Sequence, residues 1–201
     1  MVSSVRSAIN LALAVGLLAA SPGDGRAQAQ AKHETFTAKT INMSVGAGQN
    51  VKIDVFRWST EDERNALVSA VKGHNDKAVA DALQKAASLG SIWTNENLGY
   101  SIRYAVSDTT TTGMERVVVL TDSQLGSWSG QSWKPIQASA NVTYPFSLIE
   151  LRVNRAGTGE GKMSLAGTVI ADENAKTLTL GDYDAAPVLL RPVKRESEHQ
   201  Q

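Results

Sequence analysis

Val51, Ile53 and Val55 alternate with Lys52 and Asp54. A period of two puts the branched apolar side chains on one face of a strand and the charges on the other, which predicts a half-buried strand within Asn50 to Trp58. The same alternation runs through Tyr100, Ile102, Tyr104 and Val106, set against Ser101, Arg103 and Ala105. Shorter apolar runs predict further strands at Ile41 to Val45, Arg116 to Leu120, Ser147 to Val153, Lys162 to Ile170 and Thr177 to Leu180. The segments between them carry turn chemistry: Gly46-Ala47-Gly48, Asp108 to Gly113, Asn154 to Gly159 and Asp172 to Lys176. Val188 to Val193 reads as a last strand, placed at a sheet edge because Pro187 and Pro192 have no N–H to give to a ladder.

Between Ser59 and Gly90 the period changes to that of a helix. Thr60 and Glu63 fit a capping box, in which each side chain bonds the other residue's backbone N–H. Glu61, Asp62 and Glu63 put negative charge at the positive end of the helix dipole. Leu67, Val68 and Val71 form an apolar stripe, and Gly73 suits the left-handed position that ends a helix. A second helix is predicted from Asn75 or Asp76, with Val79, Leu83 and Ala86 on one face and Gly90 as its stop. Neither segment is long enough to hold its shape alone, so the hairpin is expected to pack on the sheet through Leu67, Val71, Val79 and Leu83. Strands, then a helical hairpin, then strands imply an α+β fold: a mainly antiparallel sheet with an inserted helical hairpin. Open, sandwich and barrel-like closures all satisfy this pattern.

The N-terminus departs from these patterns. Arg6 precedes an apolar run from Ala8 to Ala20 that only Asn10 breaks, and Ser21 to Gly25 stops it. Ala27-Gln28-Ala29 and Ala29-Gln30-Ala31 offer the small-x-small signature of signal-peptide cleavage. The run is shorter than the roughly 20 residues needed to span a bilayer. The expected organisation is a signal peptide over 1–29, a flexible lead-in over 30–40, one α+β domain over 41–195 and a disordered tail over 196–201. That predicts a periplasmic or extracellular protein with no stable membrane insertion after the signal is removed. The chain has no cysteine, which excludes a disulfide framework, a thiol nucleophile and thiolate metal sites. Its 20 basic and 20 acidic side chains cancel, so the basic excess of a nucleic-acid binder is missing, as is a polybasic case for an anionic membrane.

A set of short motifs adds a resemblance: Arg57-Trp58-Ser59 followed by Glu61 to Arg64, Leu83-Gln84-Lys85, Leu98-Gly99-Tyr100 with Arg103-Tyr104, Phe146 to Leu151, and Gly159-Glu160-Gly161-Lys162. From Val51 to Val193 the chain resembles a group of small exported bacterial proteins with no assigned function. The resemblance implies a bacterial origin and a single domain. It carries over no role for any residue.

Motifs for catalysis are sparse. Ser69-Ala70-Val71-Lys72 has the spacing of a serine–lysine nucleophile but lacks its companion motifs, and reads as the exposed face of a helix. There is no Gly-x-Ser-x-Gly elbow. His33, His74 and His199 fall in the lead-in, a turn and the tail, where no scaffold holds a metal or a triad. Gly157 to Lys162 looks like a phosphate loop but leads into a strand pattern, which makes it a hairpin turn. No cofactor or metal is expected. Trp128 and Trp133 stand in a long Ser-, Gly- and Gln-rich stretch from Ser123 to Asn141. Indole faces beside amides such as Gln131 suit an envelope ligand, so Trp128, Trp133 and Gln131 are the candidate binding residues. Set against this, and favoured over it, is a role for the indoles in folding back to cover an open sheet edge or the core. The expected function is a non-catalytic ligand-binding or cell-envelope module. The competing expectation is a small hydrolase of envelope polysaccharide or peptide that uses strand carboxylates such as Asp122 and Glu150.

Overall fold

The computed structural model describes residues 33–43, 48–72, 76–95, 99–127, 133, 145–164, 169–172, 177–180 and 188–196. These hold β1 (Glu34–Lys39), β2 (Asn50–Val55), α1 (Glu61–Lys72), α2 (Asp76–Lys85), β3 (Gly90–Trp93), β4 (Gly99–Thr109), β5 (Glu115–Thr121), β6 (Leu148–Val153), β7 (Thr158–Ser164), β8 (Val169–Asp172), β9 (Thr177–Leu180) and β10 (Val188–Glu196). Eight of the strands close into an antiparallel barrel in the order β1-β10-β7-β6-β5-β4-β3-β2. The chain therefore goes round the wall strand by strand. Among the described residues the helical hairpin follows β2 and the separate β8–β9 pair follows β7. The fold is α+β and β-rich, and its sheet closes as a barrel.

Alternation decides what fills the barrel. Phe36, Ile53, Ile92, Tyr100, Val119, Leu151 and Val193 come from seven different strands and join one buried apolar cluster, the barrel interior. A second cluster lies outside the wall. There Leu67, Val68 and Val71 of α1 and Val79 and Leu83 of α2 cover Tyr104, Val106, Val118, Leu120 and Leu148 on the outer face of β4, β5 and β6. Leu178 of β9 joins the same layer. Burial in this layer pushes the Tyr104 phenol up to about 12.

The unbroken Tyr100–Val106 alternation hides a change of face. Ile102 pairs with Thr121 but Tyr104 pairs with Leu120, so Arg103 is the extra residue of a β-bulge. Before the bulge Tyr100 and Ile102 point into the barrel. After it Ala105 points in, while Tyr104 and Val106 point out beneath the helices. Arg103 uses its position to bond Asp122 at 2.7 Å and the Ala86 carbonyl at 2.9 Å, tying the end of α2 to the end of β5.

The capping box forms as its chemistry requires. The Thr60 N–H donates to Glu63 at 2.8 Å and the Glu63 N–H donates to the Thr60 hydroxyl at 3.3 Å. Arg57 grips both Glu63 oxygens, at 2.8 and 2.9 Å. The Arg57 guanidinium, helped by the Thr60 N–H, lowers the Glu63 carboxyl from 4.5 to about 2.

Four boundaries differ from the sequence pattern. The barrel begins at Glu34, inside the expected lead-in, because Phe36 and Ala38 face inward while Thr35, Thr37 and Lys39 face out. Within Ile41 to Val45 the described residues 41–43 form no strand: Ile41 is exposed, and Met43 joins the interior cluster. Gly90 starts β3 rather than ending α2, and a Cβ there would sit 2.0 Å from the Asp54 carbonyl oxygen. The expected strand from Lys162 to Ile170 is two strands, β7 in the wall and β8 outside it. Finally, β10 is no edge: it lies between β1 and β7. A register shift between Leu190 and Val193 makes a bulge that turns both Arg191 and Pro192 outward, so the missing proline N–H is not needed in the ladder.

Candidate functional site

The wall opposite in character to the helix-covered one is β10-β1-β2-β3. Its outward positions line up in register: Lys194 faces Thr37, Thr37 faces Lys52, and Lys52 faces Trp93. One cross-strand row therefore reads Lys194, Thr37, Lys52, Trp93. Strands lie about 4.8 Å apart, which sets the bases of Lys194 and Lys52 about 10 Å apart. Lys39 and Asn50 pair in the next outward row. Together with Thr94, Asn95 and Pro192 these residues line a groove of about 420 Å³.

Trp93 is 42% exposed, in contrast to the core. Its indole lies over Gly99, its partner on β4: a Cβ at position 99 would stand 3.3 Å from Cη2 and 3.4 Å from Cζ2 and Cζ3. Glycine lets the ring approach the sheet, and an alanine would push it outward. Lys39, Lys52 and Lys194 are all exposed around it. Lys52 also meets Asp54 at 3.2 Å, and Asp54 accepts a hydrogen bond from Thr35 at 2.8 Å. Asp54, Thr35 and Glu196 form the adjoining row, so the basic row is bounded by an acidic one. The chemistry on offer is a flat apolar ring, ammonium groups and amide and hydroxyl hydrogen bonds.

Of the residues the sequence singles out for binding, Trp128 and Gln131 lie outside the described residues. Trp133 is buried, at 5% exposure, within the barrel's interior cluster. Its backbone N–H donates to the Leu125 carbonyl at 3.0 Å, and Leu125 is itself fully buried. Around them the Tyr100 hydroxyl accepts from Gly126 N–H, and Ser147 Oγ accepts from Leu125 N–H, both at 3.0 Å. Trp133 thus takes the second of the two roles open to the indoles, packing into the core.

The carboxylates of the competing hydrolase do not converge. Glu150 is fully buried and bonds Arg152 at 2.9 Å, and Asp122 bonds Arg103. Glu150 faces Val118 in the ladder, and Asp122 follows four positions later, about 13 Å along a strand. An acid–base pair for glycoside cleavage needs about 5–9.5 Å. Ser69 and Lys72 are exposed on α1. Gly157 sits at φ 75° in the β6–β7 turn, where Asn154 Oδ1 accepts from the Ala156 and Thr158 N–H groups, so the phosphate-loop look-alike is a hairpin. Among the described residues no group of His, Asp and Glu could hold a metal ion.

Trp93, Lys39, Lys52 and Lys194 were not marked as a site by sequence reading. Their spacing along the chain carries no signal, since only barrel closure brings β10 beside β1. The one local hint is a tryptophan six residues before a glycine. Among the described residues no helix is long and apolar enough to cross a membrane. The wall is mainly apolar within, with the paired Glu34, Arg195 and Glu115 as charged exceptions, and carries Lys39, Lys52, Glu160, Arg191 and Lys194 without. No protein-family model, no curated protein and no solved structure matches this chain.

Proposed function

We propose that this chain is an exported bacterial protein that acts as a non-catalytic binding module of the cell envelope, with the Trp93 groove as its ligand site. The observation that carries the reading is the exposed indole held flat on Gly99 beside Lys52, on a wall that no other described element covers. An exposed indole costs a protein solvation free energy unless a ligand shields it, and binding surfaces favour such rings. Export is supported by the n-region, apolar run and cleavage signature of the first residues, and by the resemblance to exported bacterial proteins. The arginine pairing of Asp122 and Glu150 speaks against the hydrolase alternative.

The test is co-sedimentation of the full protein with purified envelope polymers, followed by chromatography of the polymer. Binding that is lost in Trp93→Ala, with polymer length unchanged, is the expected result. Shortened polymer would instead establish a hydrolase. Mass spectrometry of protein recovered outside the cytoplasm should show an N-terminus at Gln30 or Lys32, and an intact Met1 there would refute signal cleavage.

A further inference from the structure

We propose that the groove selects an acidic saccharide, a chain of sugar rings bearing carboxylates. This rests on the groove being the ligand site and goes on to name the ligand class. The row Lys194, Thr37, Lys52, Trp93 runs across the strands, so a linear ligand lies across the barrel wall rather than along one strand. A pyranose ring presents an apolar face to the Trp93 indole. Its carboxylate then reaches Lys52 one strand away, and a second acidic ring reaches Lys194 two strands further on. Lys194 and Lys39 are exposed on the same wall. Thr37, Asn50 and Asn95, whose side chains can hydrogen-bond sugar hydroxyls, are among the residues that line the groove.

Two other anionic polymers fit less well. An acidic peptide in extended form binds sheets by adding a strand to an edge. The closed barrel has no edge at this wall, since β10, β1, β2 and β3 are each paired on both sides. A nucleic acid draws its affinity from many phosphate contacts. This groove offers three lysines, Asp54 and Glu196 border it, and the chain's net charge is zero.

Isothermal titration of the full protein with oligogalacturonate decides the matter, with its methyl ester as the uncharged control. Oligogalacturonate should bind at least about tenfold tighter than the ester, and added salt should narrow the gap. Trp93→Ala should weaken binding about tenfold through lost stacking, and Lys52→Gln and Lys194→Gln about two- to fivefold each, the range of exposed ion pairs. Thermal melts of the variants should match the wild type. Equal binding of ester and acid overturns the anionic selectivity. Tighter binding of polyglutamate or an oligothymidylate at the same groove overturns the saccharide. Both outcomes leave the groove standing as the ligand site if Trp93→Ala still weakens binding about tenfold. Absence of oligogalacturonate binding at millimolar concentration overturns the proposal. Binding indifferent to Trp93→Ala overturns the groove itself.

Discussion

The barrel has two kinds of wall, and the outward residues of each decide its use. On β4, β5 and β6 the outward positions include Tyr104, Val106, Val118, Leu120 and Leu148, which the helical hairpin covers, with buried Glu150 opposite Val118. On β10, β1, β2 and β3 they are Lys194, Thr37, Lys52 and Trp93. The inward positions are mainly apolar on both walls, apart from Glu34 and Glu115, which both pair with Arg195 beside Phe36. A closed sheet satisfies its backbone and fills its interior whatever faces outward, so the outer face is free to vary. The covered wall uses that freedom for stability, and the bare wall leaves a ring and charges in water. Two tryptophans repeat the contrast: Trp133 is 5% exposed inside, and Trp93 is 42% exposed outside.

The largest effect should come from the buried tryptophan. Trp133→Ala is expected to cost about 3–5 kcal/mol, the range for deleting a buried large aromatic, measured by urea denaturation. A cost near zero would mean that Trp133 does not plug the core. Leu83→Ala should cost about 2–5 kcal/mol by the same measurement, because Leu83 is fully buried between α2 and the wall. Thr60→Ala should cost about 0.5–2 kcal/mol, the value of an N-cap. If it exceeded Leu83→Ala, the hairpin would owe more to its cap than to packing, and the contrast between walls would fail.

Acid sharpens the same comparison. Glu63 is held at about 2 when folded and near the ordinary carboxyl value when unfolded. A depressed carboxyl stabilises the fold above its unfolded value, and that contribution disappears as pH falls through the folded value. The advantage of wild type over Glu63→Gln should therefore hold at neutral pH and shrink between about pH 4.5 and pH 2. The carboxylate is 30% exposed, so solvent screening keeps the effect small. Denaturant midpoints across that range check it, and an advantage that persists at pH 2 would assign the stability elsewhere. The smallest effect belongs to the bare wall: Trp93→Ala should shift stability by less than about 0.5 kcal/mol, as surface changes do.

Much of the fold was legible because local chemistry fixed it. The Thr60–Glu63 cap, the Leu67–Val71 stripe and the Val51–Val55 alternation each act within a few residues. The bulge at Arg103 was not legible, since the alternation continues through it while the side chains change face. Pro192 misled for a related reason: a bulge, not an edge, excuses its missing donor. The site was hidden more deeply. Its cationic row joins positions 194, 37, 52 and 93, which only ring closure places side by side. In the sequence Trp128 and Trp133 stand among Ser, Gly and Gln, which suits either a ligand or a cover over a sheet edge or the core. Trp133 takes the second of these roles and joins the interior cluster.

The most direct test of the division between walls is the indole N–H region of an ¹H–¹⁵N spectrum of the full protein, titrated with oligogalacturonate. The chain's four tryptophans give four signals, each assignable by single substitution. The account predicts that the Trp93 signal shifts with saturation while that of Trp133 stays in place. A shift of Trp128 or Trp133 with Trp93 unmoved would contradict it.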